Sequence, residues 1–232
     1  MKYSHVILIF VCPFIFCQAA LSADFQNLDF EATSLQPDGS RGFQPIEVAL
    51  PGWTAYLGDN VQPNILYNDL FLGTAFVGLS GTIFPVFNGD FSVLLKPGAS
   101  PFTTLPVSAS LAQVGLIPFN AGILQFRATI DTFNPTIRDF FGVYVDGQRL
   151  QIFPTIEQTG PVTATFTADV SAYAGREVDL RFTSFNLGAA GPNALILDDI
   201  SFIPVPEPST LGLFALGGLL LGFSRWRSSL RK

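Results

Sequence analysis

The chain has 232 residues, with 12 Lys and Arg against 18 Asp and Glu and a net charge of −6. Its one histidine (His5), both cysteines (Cys12 and Cys17) and its one methionine all fall within the first 17 residues. Beyond them a histidine-based triad, His or Cys metal ligation and a disulfide framework are excluded.

The N-terminus has the three parts of an export signal. Lys2 supplies the positive charge, residues 6–16 are apolar around an interruption at Pro13, and Ala19, Ala20, Ser22 and Ala23 form a small-residue end. We expect a secretory signal peptide over residues 1–23, cut after Ser22 or Ala23 and too short to span a membrane. Val11 and Phe16, which precede the two cysteines, are too bulky for a lipid-attachment site.

Residues 24–204 are expected to form one domain, long enough to bury a substantial core. Between residues 24 and 205 there are 17 acids and 7 bases, a net charge of −10. Such a surface repels nucleic acid and suits cations or neutral glycans. Turn signals recur along the segment, among them Asn88-Gly89, Pro97-Gly98, Asp146-Gly147 and Gly175. Short apolar and β-branched runs separate them, and no amphipathic helix of three turns precedes residue 209. This spacing predicts an all-β, antiparallel β-sandwich.

Several strands show their faces in the sequence. Residues 124–130 and 163–167 alternate. Asp146-Gly147 predicts a two-residue type I′ hairpin flanked by Val143, Val145, Leu150 and Ile152. In residues 176–182, Val178, Leu180 and Phe182 are expected inside, with Glu177, Asp179 and Arg181 on a solvated face. The last strand, 195–203, contains adjacent Asp198 and Asp199. Strand alternation sends them to opposite faces, so one is inward or at an edge. A buried carboxylate then needs a partner: a cation, backbone N–H groups or Arg181.

The last segment, 205–232, has three parts in order: Pro206-Glu207-Pro208, an uncharged apolar run over 211–223, and a tip with Arg225, Trp226, Arg227, Arg231 and Lys232. Thirteen helical residues reach only about 20 Å. With flanks, a membrane-spanning helix over about 209–226 approaches the ~30 Å hydrocarbon core. Trp226 suits the headgroup layer, and the positive tip is expected to stay on the cytoplasmic side. Gly218 and Gly222 have the small-xxx-small spacing of associating membrane helices.

This tail resembles the PEP-CTERM sorting signals of exported bacterial proteins. The resemblance implies recognition at Pro206, Glu207 and Pro208 by a membrane-embedded exosortase, cleavage near that motif, and release or transfer to the cell surface, often in bacteria that make exopolysaccharide. The body resembles the galactose-binding-like jelly rolls used as carbohydrate-binding modules. That resemblance rests on residues 27–31, the Asp146-Gly147 hairpin, residues 166–175 leading into 178–182, and residues 197–200. It implies a jelly-roll-like sandwich and a structural Ca²⁺ held by Glu31 with Asp198 or Asp199, ligands of the hard-oxygen kind that calcium prefers.

Sugar rings stack on Trp and Tyr, so Trp53 and Tyr56 are candidate ligand residues, with core packing the competing role for Trp53. The expected function is that of an exported, non-enzymatic surface or matrix protein, anchored at least transiently in the inner membrane, that binds glycan. Two alternatives stay open: a secreted glycan-active hydrolase, which needs only two carboxylates, and a purely structural or adhesive matrix protein.

Overall fold

The computed structural model describes residues 23–71, 73–100, 105–131, 141–156, 162–185 and 194–205. Two twisted sheets face each other. The larger contains β1 (Gly42–Pro45), β4 (Asn64–Tyr67), β5 (Phe76–Ser80), β6 (Ser92–Lys96), β10 (Ala121–Asp131), β13 (Ile152–Ile156), β14 (Val162–Asp169) and β16 (Ala194–Pro204). Its order is β1-β4-β5-β6-β16-β10-β14-β13. The smaller contains β2 (Thr54–Leu57), β3 (Asn60–Gln62), β9 (Ala109–Leu116), β11 (Phe141–Val145), β12 (Gln148–Arg149) and β15 (Glu177–Ser184), in the order β12-β11-β15-β9-β2-β3. A two-stranded ribbon, β7 (Gly98–Ala99) with β8 (Pro106–Val107), joins β6 to β9. One helical turn, α1 (Ile46–Ala49), joins β1 to β2.

The expected period of two is realised where the sheets meet. In β15, Val178, Leu180 and Phe182 are buried while Glu177 is exposed and Asp179 and Arg181 are half-buried. Leu124, Phe126 and Ala128 of β10 face them from the larger sheet and are fully buried. Phe126 stacks on Phe166 of β14, centroids 5.4 Å apart, and meets the edge of Phe182 at 5.2 Å. Phe141 of β11 completes the group against Phe166 at 5.2 Å. Such tilted contacts suit the ring quadrupoles.

The Asp146-Gly147 turn forms as expected, with both residues at positive φ, 49° and 75°, the requirement of type I′. Its second flank is short. β12 pairs with β11 only at Arg149↔Tyr144 and Gln148↔Val145. Ile152 then pairs with Ala168 in the other sheet, so the chain crosses the sandwich edge within two residues. A second departure is β4 with β5, which run parallel, Leu66 opposite Gly78. The other strand pairs among the described residues are antiparallel. Asn68 turns the chain out of β4 at φ 45°, and its amide bridges Pro37 O and Gly81 N.

Among the described residues no helix is long and apolar enough to cross a membrane. Residues 1–22 of the expected signal peptide (1–23) and the expected span, 209–226, lie outside the described residues.

Phe126→Ala is expected to cost about 3–5 kcal/mol, the range for emptying a packed aromatic site. Phe153→Ala, at a half-exposed ring, should cost far less. Urea unfolding of the two variants checks this, and equal losses would place the core elsewhere.

Candidate functional site

Two surfaces carry the residues singled out by the sequence. The first is the outer face of the larger sheet, where the β5–β6 connection folds back over the strands. Phe84 and Phe87 from it pack on Leu66, Phe76, Leu94, Ala194 and Ile196. β5 and β6 are therefore buried on both faces.

Acidic side chains hold this connection in place. Glu31 Oε1 accepts the amides of Asp90 and Phe91, both at 2.9 Å. Gly89 sits between these amides and the Asp198 side at φ 73°, and any Cβ there would collide with the Glu31 carboxylate. Asp198 is 0% exposed. Its Oδ1 accepts the Asp199 amide at 2.8 Å, and its Oδ2 accepts the amides of Phe87 (3.3 Å) and Asn88 (3.4 Å). Asp199 accepts the Asn88 side-chain amide at 3.1 Å and pairs with Arg127 at 3.6 Å. Arg127 donates to Phe87 O at 3.1 Å and lies over the Phe87 ring.

Both neighbouring aspartates serve one loop because alternation fails between them. Asp199 has φ 51°, and the β10–β16 register shifts between Gln125 and Arg127, the signature of a bulge that re-aims a side chain. Arg181, one of the partners expected for the buried carboxylate, lies in the other sheet.

Glu31, Asp198 and Asp199 thus gather around residues 87–91, but as acceptors for N–H groups. Donors aimed at carboxylate oxygens are the opposite of what a cation requires. Among the described residues, no group of three His, Cys, Asp or Glu is placed to hold a metal. The burial of Asp198 is accounted for by its three N–H donors.

The second surface is the outer face of the smaller sheet. The same alternation that buries Val143 and Phe182 turns Tyr144, Arg181, Thr183, Ser110 and Tyr56 outward. A depression of about 400 Å³ opens here, lined by Tyr144, Arg181, Thr183, Ser110, Asp179 and Asp59 among others. Its floor is polar and internally bonded: Ser110 Oγ donates to Thr183 Oγ1 at 3.0 Å. Gly142, two residues before Tyr144 on the same face, is what lets the ring lie down. A Cβ at Gly142 would stand 2.8 Å from Tyr144 Cε2 and 3.0 Å from its Oη. The Tyr144 ring is therefore laid along the strand, with Phe185 edge-on beside it at 6.5 Å.

Tyr56 is on this face, as a sugar-binding role requires, but Arg181 covers it. The guanidinium lies 4.3 Å from the ring centroid and reaches Asp179 at 3.8 Å. Tyr56 is the support of Arg181, and Arg181 is the group presented. Trp53 is in the core, 4% exposed. Its indole N–H donates to Asn27 O at 2.8 Å, and its ring packs beside Phe30 and Phe182. A ring so enclosed offers no face to a ligand, so of the two roles open for Trp53 the structure has core packing. The spacing of Gly142 and Tyr144 was the available sign of a ring laid flat on this face.

The remaining sites named from the sequence lie outside the described residues: Pro206, Glu207 and Pro208, and Arg225, Trp226 and Arg227. What the structure does fix is their point of departure. β16 ends at Pro204, paired with Ala121, and Val205 N donates to Asn120 O at 2.9 Å.

Residues 204–228 match the PEP-CTERM protein-sorting motif. The sorting segment therefore begins on the last residue of the last strand. No curated protein matches the chain. Among solved structures, the K2 cleaved adhesin domain of Lys-gingipain is similar at 16% identity, over 71% of this chain and 99% of that one, with TM-score 0.42. The K1 cleaved adhesin domain of Lys-gingipain from Porphyromonas gingivalis W83 is similar at 13% identity, over 72% and 100%, with TM-score 0.39. The enzymatically active domain of bacteriophage CBA120 tailspike protein 4 is similar at 11% identity, over 66% of this chain and 19% of that one, with TM-score 0.37.

Burial pushes the Asp198 carboxyl up to about 7, while the amides of Asp199, Phe87 and Asn88 pull it back. An unfolded aspartate titrates near ~4. Between those values the folded chain binds the extra proton, so stability should fall as pH rises from about 4 to 7 and level off above. Asp198→Asn should flatten that slope. Urea midpoints at a series of pH values test this, and parallel profiles for the two proteins would remove Asp198 as the titrating group.

Proposed function

We propose that this chain is an exported, non-enzymatic surface or matrix protein, delivered by its C-terminal sorting segment, whose sandwich binds a neutral glycan through the depression beside Tyr144. The match of residues 204–228 to a sorting motif supports the delivery half. In this reading an exosortase-type membrane enzyme recognises Pro206-Glu207-Pro208. The apolar run 211–223 holds the protein in the inner membrane until cleavage, and the body is then passed to the cell surface or its exopolysaccharide.

The flat Tyr144 ring over Gly142 is the single observation that supports the binding half. A sugar presents one apolar face of C–H groups and a rim of hydroxyls. The ring takes the face, while Arg181, Asp179 and Asp59 are in reach of the rim as donor and acceptors. The body's acidic balance favours a neutral chain over a uronate-rich one. We read the strand connections after β9, which hop between the two sheets, as jelly-roll-like.

The signal-processed protein should be retarded in native gels containing a neutral polysaccharide, with the host's own matrix included in the panel. Tyr144→Ala should weaken that binding roughly tenfold, about 1.4 kcal/mol, and Tyr144→Phe should keep most of it. Equal retardation of wild type and Tyr144→Ala would sink the assignment. Intact mass of the native protein tests delivery separately: a C-terminus within residues 206–210, found outside the cells, is expected. A complete tail retained in the inner membrane would make this a plain anchored protein.

A further inference from the structure

The two ends of the described domain meet at one pole. Leu116 N, at the end of β9, donates to Ala23 O at 2.9 Å, and Asp24 bridges Leu116 in parallel. Four residues on, Asn120 O accepts Val205 N. The residues that follow the signal peptide and those that precede the sorting segment therefore flank the same β9–β10 turn. The turn is braced from the other side. Gly175 N donates to Ile117 O at 2.9 Å and Ile117 N to Arg176 O at 3.0 Å.

At the tip of this pole stands Phe119, 82% exposed. It is held out rather than loose, because its ring packs on Gly175, where a Cβ would stand 2.5 Å from Phe119 Cδ1. Val205, 50% exposed, and Ile123, 38% exposed, are further exposed apolar side chains on the segments that meet at this pole, and Val205 Cγ2 stands where a Cβ of Gly122 would be. Nearby charge is mixed: Asp24, Glu177 and Asp169, the cross-strand partner of Ile123, are exposed, and Arg176 pairs with Asp146 at 3.4 Å. An apolar tip without a basic collar fits a hydrocarbon boundary better than an anionic polymer.

We propose that this pole is a membrane-contact surface: Phe119, with Val205 and Ile123 beside it, dips into the interfacial layer of the bilayer that holds the sorting tail. The inference rests on the delivery reading above. Chain length supports it. Only residues 206–210 separate Val205 from the apolar run, and five residues reach at most about 17 Å. A tail in the bilayer therefore keeps the pole close to the headgroups, where an exposed aromatic ring is favoured. The body is then held upright, with the start of β9 and the depression's far rim directed away from the lipid.

The signal-processed chain contains no cysteine, so single labels are clean. Phe119→Cys, Leu105→Cys and Ser224→Cys would each carry an environment-sensitive fluorophore. Each full-tail protein would be reconstituted in phosphatidylethanolamine/phosphatidylglycerol vesicles containing shallow spin-labelled lipid. Leu105, 64% exposed, precedes β8 and lies at the far end of β9 from Leu116. The expected result is a blue shift and quenching at positions 119 and 224, with neither at 105. Quenching at 224 alone would overturn the contact surface and leave the delivery reading standing. No quenching at 224 would overturn both. Shielding of position 119 only after the processing enzyme is added would assign the pole to a protein partner and overturn the lipid assignment.

Discussion

The structure depends on one aromatic junction. Phe126 and Phe166 of the larger sheet meet Phe141 and Phe182 of the smaller one. No disulfide is available to the body, since both cysteines precede residue 18. The hold between sheets is therefore apolar burial and ring geometry, worth roughly 25 cal/mol per Å² of area removed from water. This junction also decides what faces out. With Val143 and Val145 locked inward beside Phe141, Tyr144 has no choice of side. With Leu180 and Phe182 inward, Arg181 and Thr183 must line the opposite face. The depression is a consequence of the core.

The larger sheet solves a different problem. Its β5 and β6 expose apolar side chains on the face turned away from the core, and a loop is folded over them. A covering loop carries many backbone amides, and those that are buried need acceptors. Glu31 takes two, Asp198 takes two besides the amide of Asp199, and Asp199 holds the Asn88 side chain and Arg127. The carboxylates that resemble a calcium set are engaged as caps for this loop. Their cost is visible at Asp198, whose burial opposes its charge.

Local features were legible in the sequence, and non-local ones were not. Alternation in residues 176–182 and the Asp146-Gly147 turn depend on neighbours in the chain, and both formed as expected. The sheet that Ile152 joins depends on Ala168, sixteen residues later, and a hairpin pattern carries no trace of that. The parallel pairing of β4 with β5 goes with Asn68 contacts far off in the chain, to Pro37 on one side and to Leu79 and Gly81 on the other. The Asp198-Asp199 pair showed that one carboxylate must be buried. It could not show the bulge that lets both reach one loop, because a bulge exists only against a partner strand. Trp53 was undecided for a similar reason: a lone Trp between glycines and prolines has the same local pattern whether it is core or platform. Its burial follows from Phe30 and Phe182, far apart in sequence.

The placement of the two termini constrains how such a body can be used. Strand β16 carries the Asp198 cap near its middle and delivers Pro204 to the β9–β10 turn at its end. The same turn receives Ala23. A domain tied at one pole cannot present that pole to a distant ligand, so recognition falls to the sides and the far end. The β4–β5–β6 end of the larger sheet's outer face is already occupied by the 81–91 loop. The outer face of the smaller sheet remains open, and there Gly142 leaves the space in which Tyr144 lies flat. In the proposed reading, attachment and recognition therefore fall on different surfaces of the strand order.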